Sequence, residues 1–278
     1  MSQIVVLKIG GSLGNQTMDV LAHAVRLVLD QQDLPLVVHG GGPRISQALQ
    51  RANLELPFVQ GQRLTTAEAV PIVQRVLEQE ISGEIVCELR KRGVLATGLF
   101  GSGGLLQAQP LPNMERTAGI AHVHLSVLWP FLSALQAVVI TPMAADDLGQ
   151  VYNVNADTAA AAIAAATSAA KFVLLTDVPG IYADYSRGDM LTDTNSGELQ
   201  DMLRQGRFAH GMIPKVQAVL SALGSGIPEC FVVHGGDSDA VTWALTGEAQ
   251  VAFKRGTRIR WQSDLHQFEG AGAKKSHA

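Results

Sequence analysis

The chain is short of charge. Asp, Glu, Lys and Arg make up 17% of its 278 residues, against about 25% in an average soluble domain. The 21 Lys+Arg and 25 Asp+Glu leave a net charge of −4, without the basic footprint that nucleic-acid binding leaves. Cysteine is almost absent. Cys87 and Cys230 are too few for a disulfide framework or a four-ligand zinc site. Their apolar surroundings read as buried free thiols in a reducing cytoplasm. No run is apolar enough to span a membrane: the most apolar stretch, residues 156–170, is Ala-rich and interrupted by Asp157, Thr158, Thr167 and Ser168. The first residues lack the basic and long apolar regions of a secretory signal. What the chain does have is 47% hydrophobic residues. That is enough to bury a large core and to exclude disorder over most of the length, as one large α/β domain or two small ones.

Short β-branched runs alternate with helical patterns. Residues 3–9, 34–39, 94–100, 136–141, 171–176 and 229–234 read as strands, and 19–32 and 44–53 as helices. Residues 66–92 form a long helical stretch, expected to kink near Pro71 and weaken at Gly83. This order predicts an α/β fold, a mostly parallel sheet covered on both faces. Residues 101–124 interrupt the rhythm with Gly, Pro and two alternating pieces, a hairpin excursion that could act as a lid. Residues 263–278 read as a poorly ordered tail. One near-repeat stands out: LVVHGGGP from Leu36 and FVVHGGDS from Phe231. Two such turns at the carboxyl ends of parallel strands would make two ligand-facing edges, although strand–Gly–helix geometry also recurs by itself.

Several motifs suit anion chemistry. Lys8, Gly10, Gly11 and Ser12 follow the first strand, offering a point charge and free backbone N–H groups. His39-Gly40-Gly41-Gly42-Pro43 exposes N–H groups ahead of a helix whose first turn accommodates Pro43. His39 itself reads as a strand-end cap. In Asn153-Val154-Asn155-Ala156-Asp157, alternation puts three polar groups on one side. An N-cap and a first-turn acid would explain Asn155 and Asp157, but not Asn153. Lys215, in the first turn of a helix after Gly211 and Met212, opposes the helix dipole unless an anion offsets it. Asp177-Val178-Pro179-Gly180 is either a nucleotide cradle or an ordinary turn. Arg63 sits in a loop before a helix, and arginine is suited to bidentate carboxylate binding. Neither a Walker A loop nor a GxGxxG fingerprint is present. A G-x-S-x-G match at Gly10–Gly14 precedes the His-Gly-Gly-Gly loop, the reverse of the hydrolase order.

In this order LKIGGS, VVHGGGP, GQRLT, YNVNADTAA, LLTDVPGIY and GMIPKV resemble the amino-acid kinase superfamily, and within it the acetylglutamate kinases, over about residues 3–260. The resemblance implies an open αβα sandwich with a mostly parallel central sheet. It implies one domain over 1–262, with about 1–170 binding an acyl amino acid and about 171–262 binding ATP. The implied reaction is ATP-dependent phosphorylation of the side-chain carboxylate of N-acetyl-L-glutamate, with Mg²⁺ accompanying ATP, as a step of arginine biosynthesis. By position, Lys8, Lys215 and Asp157 would be catalytic, with Asp157 orienting the lysines. Gly41, Gly42, Arg63 and Asn153 would hold the acyl substrate. Gly10, Gly11, Asp177, Val178, Pro179, Gly180, Ile181, Tyr182, Gly211 and Met212 would line the nucleotide site.

Departures at 98–104, 116–123 and Arg44 bear on the acyl substrate. A carrier-protein-linked aminoadipate or glutamate kinase is the alternative enzyme. A catalytically silent sensor is the alternative without catalysis, and retention of Lys8 and Lys215 argues against it. The resemblance also implies a homodimer, packed through Val70, Val73, Leu77 and Ile81 if that stripe does not face the chain's own sheet. The first strand begins within three residues of Met1, which leaves no room for the extra N-terminal helix of arginine-inhibited hexamers. Insensitivity to arginine is the matching expectation.

Overall fold

The computed structural model describes residues 2–10, 14–132, 134–208, 211–247 and 255–262. Strands and helices alternate from the start: β1 (Ile4–Ile9), α1 (Asn15–Asp30), β2 (Leu34–His39) and α2 (Gly42–Arg51). A short hairpin of β3 (Phe58–Val59) and β4 (Gln62–Arg63) precedes α3 (Val70–Gln74), a π-helical segment (Arg75–Ile81) and α4 (Ser82–Lys91). Then come β5 (Ala96–Phe100), β6 (Leu106–Pro110), β7 (Thr117–Val123), α5 (Trp129–Leu132), β8 (Ala137–Thr141), β9 (Met143–Ala145) and β10 (Val151–Val154). The remainder is α6 (Ala156–Ala166), β11 (Lys171–Thr176), β12 (Ile181–Asp184), β13 (Asp189–Leu191), β14 (Asp193–Asn195), α7 (Ser196–Arg204), α8 (Ile213–Gly224), β15 (Glu229–His234), α9 (Ser238–Thr246) and β16 (Gly256–Arg260).

Eight strands form one sheet in the order β14-β16-β15-β11-β1-β2-β8-β5. From β15 to β5 all neighbours are parallel, while β16 runs antiparallel to β15. The buried runs explain this: β1, β2 and β11 are apolar on both faces, which only a sheet covered twice can satisfy. Alternate residues feed two cores. Val6, Leu36 and Val38 pack with α6, α7 and α8 on one face. Leu7, Ile9 and Val37 pack with α1, α9 and the α3–α4 stretch on the other.

The excursion at 101–124 is the expected hairpin, β6 against β7, and it goes further. β9 and β10 join it to close a four-stranded barrel. Burial inside that barrel is what holds the hairpin.

Four expectations are corrected. Pro71 does not kink a helix but opens α3, where its missing N–H is harmless. The irregularity lies instead in the π segment, while Gly83 sits inside regular α4. The stripe Val70, Val73, Leu77 and Ile81 is buried against the chain's own core, so it is unavailable to a second copy. Cys87 is exposed, and only Cys230 is buried, where desolvation raises its thiol pKa. The tail at 263–278 lies outside the described residues. Among the described residues, no helix is long and apolar enough to cross a membrane.

Candidate active site

The carboxyl ends of the parallel strands open into a cleft of about 590 Å³. Lys8 is one residue from the end of β1, on the face it shares with Val6. That face looks onto α6 and α8, so Lys8 meets the acid that starts one helix and the cation that starts the other. Lys8 Nζ lies 2.8 Å from Asp157 Oδ1, and Lys215 Nζ lies 3.7 Å from Asp157 Oδ2. Lys8 and Asp157 are buried and Lys215 is partly exposed. One carboxylate between two ammonium groups leaves a surplus positive charge at the cleft floor. In partly buried surroundings an incoming anion feels that charge far more than it would in water.

Four helices begin at this cleft. Thr17 of α1, Gly42 of α2, Asp157 of α6 and Lys215 of α8 all line it, so the positive ends of four helix dipoles converge there. Asn155 caps α6: its Oδ1 accepts from the N–H groups of Asp157 and Thr158. Gly41, Gly42 and Pro43 line the wall at the start of α2. A Cβ on Gly41 would lie 2.7 Å from Leu77 Cδ2 and 2.8 Å from Ile81 Cδ1. The side-chain ends of the π segment thus pack closely against this glycine, and a larger residue would have to displace them.

Arg63 is not in a loop but in β4, and it is buried. Its guanidinium donates to Ser46 Oγ at 2.7 Å and lies 4.5 Å from the centre of the Phe58 ring. Burial lowers its pKa, though an arginine stays charged. None of the ion pairs among the described residues involves it. A buried cation that lines a cleft, with no acid partner among the described residues, leaves positive charge that an incoming anion can neutralise.

Its backbone is pinned by a polar network. Thr117 and Thr65 both donate to Arg63 O, at 2.7 and 3.0 Å, and Asn153 Nδ2 donates to Thr65 Oγ1 at 3.0 Å. Asn153 is thus explained: it ties β10 to this network at the cleft wall. Thr65, Thr117 and Ser46 were not among the sequence candidates. Their roles depend on contacts such as the 52 positions between Thr65 and Thr117, which no local pattern reports.

The structure brings Lys8, Gly10, Gly41, Gly42, Arg63, Asn153, Asp157, Asp177 and Lys215 to this one cleft. Gly211 lines an adjoining cavity of about 900 Å³ that shares Phe58, Asp157 and Lys215. Val178, Pro179, Gly180, Ile181, Tyr182 and Met212 are not brought to either cavity. Ile181 is buried in the core, its N–H bonded to Thr257 Oγ1. Gly180 is needed for packing, since a Cβ there would strike Thr257 Oγ1. Gly11 lies outside the described residues. His39, the expected cap, is fully buried; its Nδ1 lies 3.1 Å from Gly40 O, and burial lowers its pKa to about 4.

The described residues contain no cluster of three or more side chains able to hold a metal ion. Of the carboxylates lining the cleft, Asp157 is engaged by two lysines and Asp177 is left. Such a donor set fits Mg²⁺ carried by nucleotide oxygens and water rather than by a protein cage.

Residues 3–234 match the amino acid kinase family. An acetylglutamate kinase of Geobacillus kaustophilus (strain HTA426) is 37% identical over 238 residues, 84% of this chain and 91% of that protein. Among solved structures, the protein smu.665 of Streptococcus mutans UA159 superposes with a TM-score of 0.75 at 24% identity, over 84% of this chain and 95% of that one. A carbamate kinase of Giardia lamblia bound to AMP-PNP superposes with a TM-score of 0.64 at 17% identity, over 94% and 99%. At such identities the two structures speak to the fold.

Proposed function

The chain belongs to the amino acid kinase family, and we propose that it transfers the γ-phosphoryl group of ATP to the side-chain carboxylate of N-acetyl-L-glutamate. The observation that carries this reading is the division of the cleft. Two lysines share one carboxylate on its floor, and the buried Arg63 lines it with no acid partner among the described residues. The floor suits a transferring phosphoryl group and Arg63 suits an acceptor's carboxylate. The relative from Geobacillus is named for this activity.

The chemistry asks little covalent help of the protein. A carboxylate is already a nucleophile, so no general base is needed. One of its oxygens bonds to the γ-phosphorus as the bond to the β-phosphate oxygen breaks, giving an acyl phosphate and ADP. The obstacle is repulsion between two anions, and the remedy is positioning and charge. A lysine about 4 Å from the transferring group contributes on the order of 4 kcal/mol at an effective dielectric near 20. Asp157 holds both ammonium groups towards one point, so little reorganisation is needed at the moment of transfer. Mg²⁺ arriving with ATP would neutralise further phosphate charge. Arg63 and Asn153 would bind the acyl amino acid from the half up to about residue 170. Asp177 and Gly211, in the half from about 171, would face the nucleotide. The same reading includes a homodimer and a place in arginine biosynthesis.

The test is trapping of the acyl phosphate as a hydroxamate with ATP, Mg²⁺ and hydroxylamine. We expect product with N-acetyl-L-glutamate and little with free glutamate. Product formed only from carrier-linked aminoadipate or glutamate would overturn the assignment of the acceptor.

A further inference from the structure

The two His-Gly-Gly turns look alike in the sequence, yet they present their histidines to opposite faces of the sheet. His39 pairs with Ile9 in the ladder and so falls on the face of Val37, inside the core. His234 pairs with Thr176. In the same ladders Val232 is level with Leu174, and Leu174 with Lys8. His234 is therefore two residues beyond the level of Lys8, on the same face as Lys8. A difference of one residue in register turns one histidine into the core and the other towards the site. His234 is partly exposed and lines the cleft, together with Gly235 and Gly236.

The turn that carries His234 is held from several sides. Gly235 N–H donates to Thr176 O at 2.7 Å, Asp237 N–H to His234 O at 3.0 Å, and Gln16 Nε2 to Gly236 O at 3.0 Å. The imidazole is oriented too, because Gly236 N–H donates to its Nδ1 at 3.0 Å. An Nδ1 that accepts leaves the neutral ring its proton on Nε2. Nε2 makes no hydrogen bond among the described residues and is not a buried orphan. The result is a fixed N–H donor, without a partner among the described residues, two strands or about 10 Å across from Lys8.

We propose that His234 is a nucleotide-binding residue whose Nε2–H donates to an oxygen of the α- or β-phosphate. The proposal rests on the phosphotransferase reading only in requiring a nucleoside triphosphate. The γ-phosphoryl group would sit at Lys8 and Lys215, and the rest of the polyphosphate would run over Thr176 towards β15. His39, with the same neighbours in sequence, has no such role because its ring is shut in the core.

Two substitutions separate this from a structural role. In His234→Asn the amide oxygen takes the place of Nδ1 and keeps the bond from Gly236 N–H, while the amide nitrogen stops short of the Nε2 position, so the donor that reaches into the cleft is lost. His234→Gln extends an N–H to the reach of Nε2. Calorimetric titration with Mg²⁺ and AMP-PNP, and separately with N-acetyl-L-glutamate, reads binding without turnover. We expect His234→Asn to weaken AMP-PNP binding about tenfold or more, with amino-acid binding unchanged, and His234→Gln to recover part of the loss. The proposal is overturned by wild-type nucleotide affinity in His234→Asn, by equal weakening of both ligands in both variants, or by a wild-type protein that binds no AMP-PNP. Normal AMP-PNP binding with no hydroxamate from any acceptor would sink the acceptor assignment and leave His234 standing.

Discussion

Lys8, Asp157 and Lys215 are far apart in sequence and meet within 3.7 Å. Removing either ammonium group leaves the other paired with Asp157 while the floor loses half its positive charge. Lys8→Ala and Lys215→Ala are each expected to cut turnover by roughly 10² or more. A circular dichroism melt close to wild type would show that the loss is not one of folding, and near-normal turnover in both variants would remove them from the mechanism. His39 makes a different prediction. Its imidazole is held neutral, with a pKa of about 4 against 6.5 for the free side chain. Between those values the unfolded chain binds the extra proton and the folded chain does not. Stability is therefore retained above about pH 6.5 and falls as pH drops through that window. The loss between pH 7 and 5 should be about 2 kcal/mol from this group, read by urea unfolding at the two pH values. His39→Gln should flatten that part of the profile, and an unchanged slope in the variant would assign the acid sensitivity elsewhere.

Among the elements, the strands were the most legible. Residues 34–39, 171–176 and 229–234 carry β-branched runs that coincide with β2, β11 and β15, because a strand buried on both faces leaves a continuous apolar signature. The stretch 66–92 was legible as helix but not in its detail. Its π segment places Leu77 and Ile81 close to Gly41, a tertiary contact that local propensity does not report. Gly41→Ala tests the contact. The new methyl group would meet Leu77 and Ile81 at 2.7 and 2.8 Å, so overpacking should destabilise the chain by about 1–3 kcal/mol and displace the Gly-rich wall. Denaturant unfolding checks the first effect and titration with N-acetyl-L-glutamate the second. A variant as stable as wild type would mean that the helix yields. The barrel was half legible: alternation marked β6 and β7, whereas β9 and β10 are of 3 and 4 residues, too short to carry a period.

For the whole molecule, the expected homodimer has lost its proposed seam, since the stripe from Val70 to Ile81 is interior. Leu95 and Phe100, at the two ends of the edge strand β5, and Leu135, just before β8, remain exposed. Light scattering should give a mass near twice 29.5 kDa, and the mass of one chain would refute the dimer. By itself the sequence determined the class of fold, the parallel sheet, the Gly-rich turns and the identity of Lys8, Arg63, Asp157 and Lys215 as candidates. Each of these is written in local composition, period or motif. Tertiary structure alone decided that Asp157 stands between two lysines, that Arg63 is buried with no acid partner among the described residues, and that Ile181 and His39 belong to the core. It also decided that His234, in the same short motif as His39, faces the cleft. The reason is register: a side chain's face follows from its pairing with a neighbouring strand, and that neighbour lies tens of residues away in the chain.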